Sequence, residues 1–296
     1  MPYLLLAAVP FAFGLNPVIA RALAGIYEPG TLTFLRWLLS AMLIGAVALA
    51  RGRQEKWGLS TADLPRLLFL GGLGMGFCSF AAYVGVTTAT ATTVGLIYAC
   101  TSAVVTAVEL VEGTTRPSIL LFAGLIACFT GVCVLLTRGD LTALTELAIG
   151  PGELWAVAGT VLWAGYTLAM RRKPGDMTPF ALFTIMALIG AAFTLPIAAM
   201  EVAEKGLPPF DRIYALWLAA LVLITGVGAF LGYNLSIKLS GPVLTAASIS
   251  LAPVYIAVLA TVLLGEEVHA YHLAAIALVV TGLILMTLAR SWAKPR

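Results

Sequence analysis

Charge is what this sequence has least of. Of 296 residues only 10% are Asp, Glu, Lys or Arg, while 61% are apolar. Soluble domains carry about 25% charged residues, and a soluble chain this apolar would expose more hydrocarbon than water tolerates. A water-soluble globule is excluded, and lipid is the solvent for most of the chain. The net charge is only +3, and no run of Lys and Arg is long enough for a nucleic-acid face. Cysteine is rare as well. Cys78, Cys100, Cys128 and Cys133 all fall inside apolar runs. None forms a C-x-x-C pair or joins histidine at metal-ligand spacing, which argues against a disulfide framework or a thiolate metal site. There is no G-x-x-x-x-G-K-[ST], no H-E-x-x-H and no nucleophile elbow. Direct drive by ATP is excluded, and nothing supports an enzyme. No cofactor and no metal are expected. His269 and His272, beside Glu266 and Glu267, read as loop groups at the surface.

What is abundant is long apolar runs. A helix needs about 20 such residues to cross the hydrocarbon. Ten runs qualify: 3–21, 31–50, 66–87, 91–111, 117–137, 152–171, 179–200, 213–237, 242–264 and 270–290. Turn and polar residues punctuate them, as in Glu28-Pro29-Gly30, Arg51 to Asp63 and Gly206-Leu207-Pro208-Pro209. Ala22-Leu23-Ala24 resembles a signal cleavage site, but no basic segment precedes the first run. That run is read as the first span.

Basic residues favour cytoplasmic loops. With the N-terminus inside, that side holds Arg51, Arg53, Lys56, Arg66, Arg116, Arg171, Arg172, Lys173, Lys238, Arg290, Lys294 and Arg296. The outer side holds only Arg21, Arg138, Lys205 and Arg212. Both termini are therefore expected in the cytoplasm of an inner-membrane protein. Trp155, Trp217 and Trp292 near helix ends fit an aromatic belt.

The chain also repeats itself weakly. Phe13-Gly14 aligns with Trp163-Ala164, Arg21 with Arg171, Ala82-Tyr83 with Gly232-Tyr233, and Thr130-Gly131 with Thr281-Gly282. Two units follow, 1–145 and 146–296. Five spans is an odd number, so the second unit enters the bilayer from the opposite side. The expected fold is an all-α membrane protein of ten transmembrane helices, built as two inverted five-helix repeats around a central cavity. Many secondary transporters use this plan, with the site near the midplane.

Polar groups inside hydrocarbon are costly and mark pathways. Arg36 lies roughly 9 Å inside the second span and has no carboxylate at its depth. It either meets a substrate carboxylate bidentately or snorkels to phosphates and helix carbonyls. Asn16-Pro17 interrupts the first span, freeing a carbonyl for a ligand or for a neighbouring helix. Trp163 and Tyr166 form a mid-membrane aromatic face that stacks on a substrate or packs as core. Tyr83 and Tyr98 on one side, and Tyr233 and Asn234 on the other, are placed to line two gates. Ser102 and Ser248 lie near mid-depth, and Pro253 is expected to kink the ninth span. These ten polar and aromatic residues are the candidate binding set. Pro17 and Pro253 are the candidate hinges. Gly72 and Gly76, like Gly228 and Gly232, read as stripes for close helix approach.

The run from Ser240-Gly241-Pro242 through Ala252-Pro253 to Leu263-Leu264-Gly265-Glu266 resembles the ninth helix of the drug/metabolite transporter superfamily, in its EamA branch. Phe34-Leu35-Arg36-Trp37 resembles that family's Arg-bearing second helix. The resemblance covers almost all of 1–292. It implies a cavity walled by helices 1–4 and 6–9, with 5 and 10 peripheral. Members similar in kind are exporters of amino acids, aromatic ones included. There are departures. Ser102-Ala103 stands where the repeat would place a proline, and Glu112 does not align with Glu266. Relatives of four helices use an acidic residue in their first helix, whereas residues 3–20 contain none. The expectation is an exporter of a zwitterionic or anionic small molecule working by alternating access. The alternatives are an uptake or exchange carrier for other organic solutes or drugs, and a non-transporting membrane scaffold or receptor.

Overall fold

The computed structural model describes residues 2–52, 55–58, 60–139, 149–171 and 175–292. Of the basic residues used for orientation, Arg53, Arg172, Lys173, Lys294 and Arg296 lie outside these, as do most of the Arg138–Pro151 spacer and the Trp292 side chain.

The described chain is helical throughout its apolar runs. The helices are α1 (Pro2–Leu23), α2 (Pro29–Ala50), α3 (Thr61–Thr88), α4 (Ala91–Val111), α5 (Ile119–Leu136), α6 (Pro151–Ala169), α7 (Pro179–Lys205), α8 (Arg212–Gly241), α9 (Leu244–Leu264) and α10 (Ala270–Trp292). Among the described residues nine segments are long and apolar enough to cross a membrane. The segment that falls short is α6, which has 19 residues and carries Glu153 in its first turn. Proline sits in the first turn of α2, α6 and α7, where its missing N–H costs nothing and its fixed φ suits the helix.

Irregular backbone recurs at matching places. Gly71–Phe77 in α3 and Leu221–Gly228 in α8 are π-helical. Their first residues are 150 positions apart. α4 breaks at Cys100 (φ −74°, ψ −1°), and α9 breaks at Ser250 (φ −59°, ψ −14°), again 150 positions apart. Pro253 follows the second break and accounts for it, because it lacks an N–H and clashes with the preceding turn. The first break needs no proline. The Thr101 hydroxyl donates to the Tyr98 carbonyl at 2.7 Å, and Thr160 of α6 donates to the Ile97 carbonyl at 3.2 Å. Side-chain hydroxyls thus compete for two carbonyls of the helix ladder. Besides the kink at Pro253, the sequence predicted an interruption at Asn16-Pro17. There α1 runs on through both Pro10 and Pro17, as neighbouring helices allow in membranes.

Helix ends join in two groups. At one end Arg21 donates to the carbonyls of Val86 (2.6 Å) and Thr87 (3.0 Å). There the Glu201 carboxylate takes the N–H groups of Gly30 (2.9 Å) and Thr31 (2.7 Å). Glu266 takes the Ala91 N–H at 2.7 Å and the Thr92 hydroxyl at 3.0 Å. A carboxylate is well placed at a helix N-terminus, where N–H groups lack partners. At the other end Arg66 donates to the Ala169 carbonyl at 2.6 Å. Arg171 pairs with Glu109 (3.0 Å) and Glu112 (2.8 Å), and Arg290 pairs with Glu109. Here too a short antiparallel ladder pairs β1 (Trp57–Gly58) with β2 (Asp176–Met177).

α1 packs on α8 and α9, α6 on α3 and α4, α2 on α7, and α5 on α10. Gly76 lies against α7 and Gly232 against Val9, but Gly228 meets only the Leu223 carbonyl of its own π-helical turn. The α5–α10 contact is a close crossing. A Cβ on Gly282 would stand 2.6 Å from the Gly124 carbonyl oxygen and from Cys128 Sγ. Gly282→Val is expected to lower stability by about 1–3 kcal/mol, read as a fall in the melting temperature of the purified protein in detergent. A melting curve equal to the parent's would show that this crossing tolerates separation.

Candidate functional site

The second helix carries a buried polar stripe: Thr33, Arg36, Trp37 and Ser40. Arg36 is only 6% exposed. Its Nη1 donates to the Tyr83 hydroxyl of α3 at 2.7 Å, and that hydroxyl donates to Asn16 Oδ1 of α1 at 3.2 Å. The guanidinium carbon lies 4.5 Å from the centre of the Trp37 ring and 5.9 Å from that of Tyr83. Trp37 is fixed in turn by its own Nε1, which donates to Ser79 Oγ at 3.1 Å. Among the described residues no carboxylate stands within ion-pair distance of Arg36. Its buried Nε has no hydrogen-bond partner. Aromatic faces and a phenol soften the field of a buried cation, but they do not replace a counter-ion.

A second cluster joins α3, α4 and α6. The Tyr98 hydroxyl donates to the Cys78 carbonyl at 2.8 Å, and Cys78 Sγ lies 3.4 Å from the Gly159 carbonyl. Trp163 and Tyr166 stack with centroids 4.6 Å apart and planes at 24°. Two glycines make room for these rings. A Cβ on Gly159 would lie 1.7 Å from the Tyr98 hydroxyl, and one on Gly74 would lie 2.2 Å from the Tyr166 ring.

The remaining candidates stand apart from Arg36. Tyr233 packs edge-on against Phe13 at 6.4 Å. Asn234 donates to the Phe230 carbonyl at 2.8 Å, and Ser248 to the Thr245 carbonyl at 2.8 Å, both within one helical turn. Ser102 is exposed on α4. Pro17 adjoins Asn16, and Pro253 begins the second half of α9. Sequence reasoning missed Ser79, Cys78 and Thr160. Only Trp37, adjacent to Arg36, carried a signal.

No group of three or more His, Cys, Asp or Glu side chains among the described residues is placed to hold a metal ion. A surface cavity of about 450 Å³ lies beside the end of α9, lined by Thr261, Gly265, Glu266, Glu267, Val268 and His269. None of the residues around Arg36 lines it.

A model of the EamA-like transporter family matches residues 1–137 and 150–288. This chain belongs to that family. Its membership and its apolar helices make it a multi-pass membrane protein. An uncharacterised transporter, YyaM of Bacillus subtilis strain 168, is 25% identical over 185 residues. The match spans 62% of this chain and 59% of that relative's length. A crystal structure of another protein superposes with a TM-score of 0.65 at 21% identity, covering 97% of each chain. That likeness is one of fold.

Within this EamA fold the Tyr98 contact gives a direct test. Gly159→Ala forces the phenol off its carbonyl and is expected to cost about 1–3 kcal/mol. In a Tyr98→Ala background the same Gly159→Ala change is expected to cost little, because the ring it would strike is gone. An equal drop in melting temperature in both backgrounds would place the cost elsewhere.

Proposed function

We propose that this chain carries a small carboxylate-bearing metabolite across the inner membrane by alternating access, with amino acids, aromatic ones included, as the exported substrates. The observation that carries the reading is the buried Arg36 guanidinium, with an unpartnered Nε and no carboxylate in ion-pair range among the described residues. An isolated charge in a low-dielectric site is costly, and a substrate carboxylate supplies the missing partner through charge-assisted hydrogen bonds. The Trp163–Tyr166 stack supplies a flat apolar face for the rest of the molecule.

In this reading the chain has ten spans in two oppositely inserted units, 1–145 and 146–296. Recurrence of the π-helical turns and the helix breaks at an interval of 150 residues supports it. So does the sorting of helix ends. The C-terminal end of α1 joins one group through Arg21, and the C-terminal end of α6 joins the other through Arg171. The group around Arg51, Lys56, Arg66, Arg171 and Arg290 would face the cytoplasm, together with both termini. Discontinuous helices at mid-depth are what such carriers use to build a site.

Counterflow in proteoliposomes with a panel of labelled amino acids tests this. Arg36→Ala is expected to reduce flux at least about a hundredfold, a loss of roughly 3 kcal/mol for an uncompensated charge partner, while the protein still elutes as a folded species. Flux by Arg36→Ala at the parent rate would remove Arg36 from the site. Flux of none of the panel would remove amino acids as the substrate class.

A further inference from the structure

The hydrogen-bond chain at Arg36 has a direction, and that direction says what the site recognises. A guanidinium can only donate. The Tyr83 oxygen therefore accepts from Arg36 at 2.7 Å, and its single proton is left to donate. It does so to Asn16 Oδ1 at 3.2 Å. The Asn16 carbonyl is thus committed to Tyr83, and Nδ2 with its two protons points away from it. Nδ2 has no hydrogen bond among the described residues, and Asn16 is only half-buried. Trp37 Nε1 is already spent on Ser79. Among the described residues the nitrogens of this cluster left without a hydrogen bond are Nε and Nη2 of Arg36 and Nδ2 of Asn16, and all three can only donate.

We infer that Tyr83 is a positioning residue that holds Asn16 with its N–H₂ toward the ligand, and that this half of the site selects an anionic carboxylate against an amine or a neutral amide. This rests on the proposed carrier reading, in which Arg36 faces the substrate. It goes further in assigning Tyr83 a role without ligand contact and in fixing the sense of the Asn16 amide. Tyr83 is buried, and its hydroxyl has both accepted and donated, so it acts through its neighbours. Without it the Asn16 amide is free to turn and to offer its oxygen, which repels a carboxylate.

The test uses the full chain purified in nanodiscs, with benzoate, benzamide and benzylamine as calorimetric probes. The parent protein is expected to bind benzoate at least about tenfold more tightly than either of the others. Tyr83→Phe should weaken benzoate by about tenfold and leave benzamide unchanged, a change of charge selectivity that a purely structural role does not produce. Asn16→Asp should abolish benzoate binding, because its second oxygen faces the ligand and its charge satisfies Arg36. Melting curves and gel filtration establish that each variant is folded, and Tyr83→Phe stands alone as the test if Asn16→Asp is not. Benzylamine or benzamide binding as tightly as benzoate overturns the inference, as does absence of saturable benzoate binding. If Arg36→Ala abolishes benzoate binding while Tyr83→Phe and Asn16→Asp match the parent, this inference fails and the carrier reading stands. If Arg36→Ala binds benzoate like the parent, the carrier reading itself fails.

Discussion

A cation held in hydrocarbon without a counter-ion constrains everything around it. Arg36 sits in a buried stripe of α2, and among the described residues no carboxylate is within reach to neutralise it. Moving such a charge out of water costs several kcal/mol even after the protein relaxes. The surroundings reduce that cost with what three helices can bring: a phenol from α3, an amide oxygen from α1 and the Trp37 ring. None of these is an anion, so the compensation is partial. In the proposed reading, in which a carboxylate completes the site, binding would rest on forming an ion pair rather than on adding apolar contact. Packing of α1, α2 and α3 against one another is therefore tied to the same group that would meet the ligand.

The backbone next to this group is irregular where regular helix would leave no free polar atoms. In lipid every N–H and C=O must find a partner, so a broken or widened helix survives only where other protein groups take up what it frees. At Cys100 those groups are the hydroxyls of Thr101 and Thr160. At Ser250 the break falls just before Pro253, and Ser248 covers the Thr245 carbonyl. The π-helical turns fall beside contacts that need close approach, as where Gly71 of α3 meets Ile189 of α7. The same chemistry thus appears once in each half, written with different residues.

Much of this was legible before any coordinates. A charged residue in an apolar run is rare because it is costly, which is why Arg36 could be picked out from its position alone. The start at Pro179 was visible as the start of an apolar run, whereas Pro29 and Gly30, read as a turn, are the first residues of α2, where proline's fixed φ suits the helix. The break at Pro253 follows from its missing N–H. The break at Cys100 was hidden, since its cause lies partly in Thr160, more than 50 residues away and placed there only by the fold. At Asn16-Pro17 the sequence pointed to an interruption, whereas α1 continues as one helix through Pro17, packed against its neighbours. Tyr83 and Asn16 were each candidates, but their union with Arg36 depends on the rotation of three helices about their axes, which periodicity does not fix. The pairing of β1 with β2 was illegible for a similar reason: two residues give no pattern.

The distribution of polar clamps along the molecule bears on how the proposed cycle would move. α2 and α7 are tied at both ends, by Glu201 on Gly30 and Thr31 at one and by Thr178 on Glu55, with the β1–β2 ladder, at the other. Among the described residues α4 and α9 are tied to each other by polar side chains at one end only. There Glu266 holds Ala91 and Thr92, and Val18, Ala91, Ile256 and Ala260 close over the contact. At the opposite end the carboxylates that terminate α4, Glu109 and Glu112, pair with Arg171 of the α6 end and Arg290 of α10. They hold α4 to α6 and α10 and leave α9 to move separately. A change of access that keeps α2 and α7 as a fixed spine and opens α9 away from α4 breaks the fewest ion pairs at the Arg171 end. Access from the other end requires the Glu266 clamp to release two N–H groups and a hydroxyl. A carboxylate on helix N-termini is strong enough to hold a closed state and weak enough, at a few kcal/mol, for a bound ligand to shift. In the proposed cycle the charge at Arg36 and the charges at the helix ends would do complementary work: one would give the substrate its place, and the others would decide from which side it is reached.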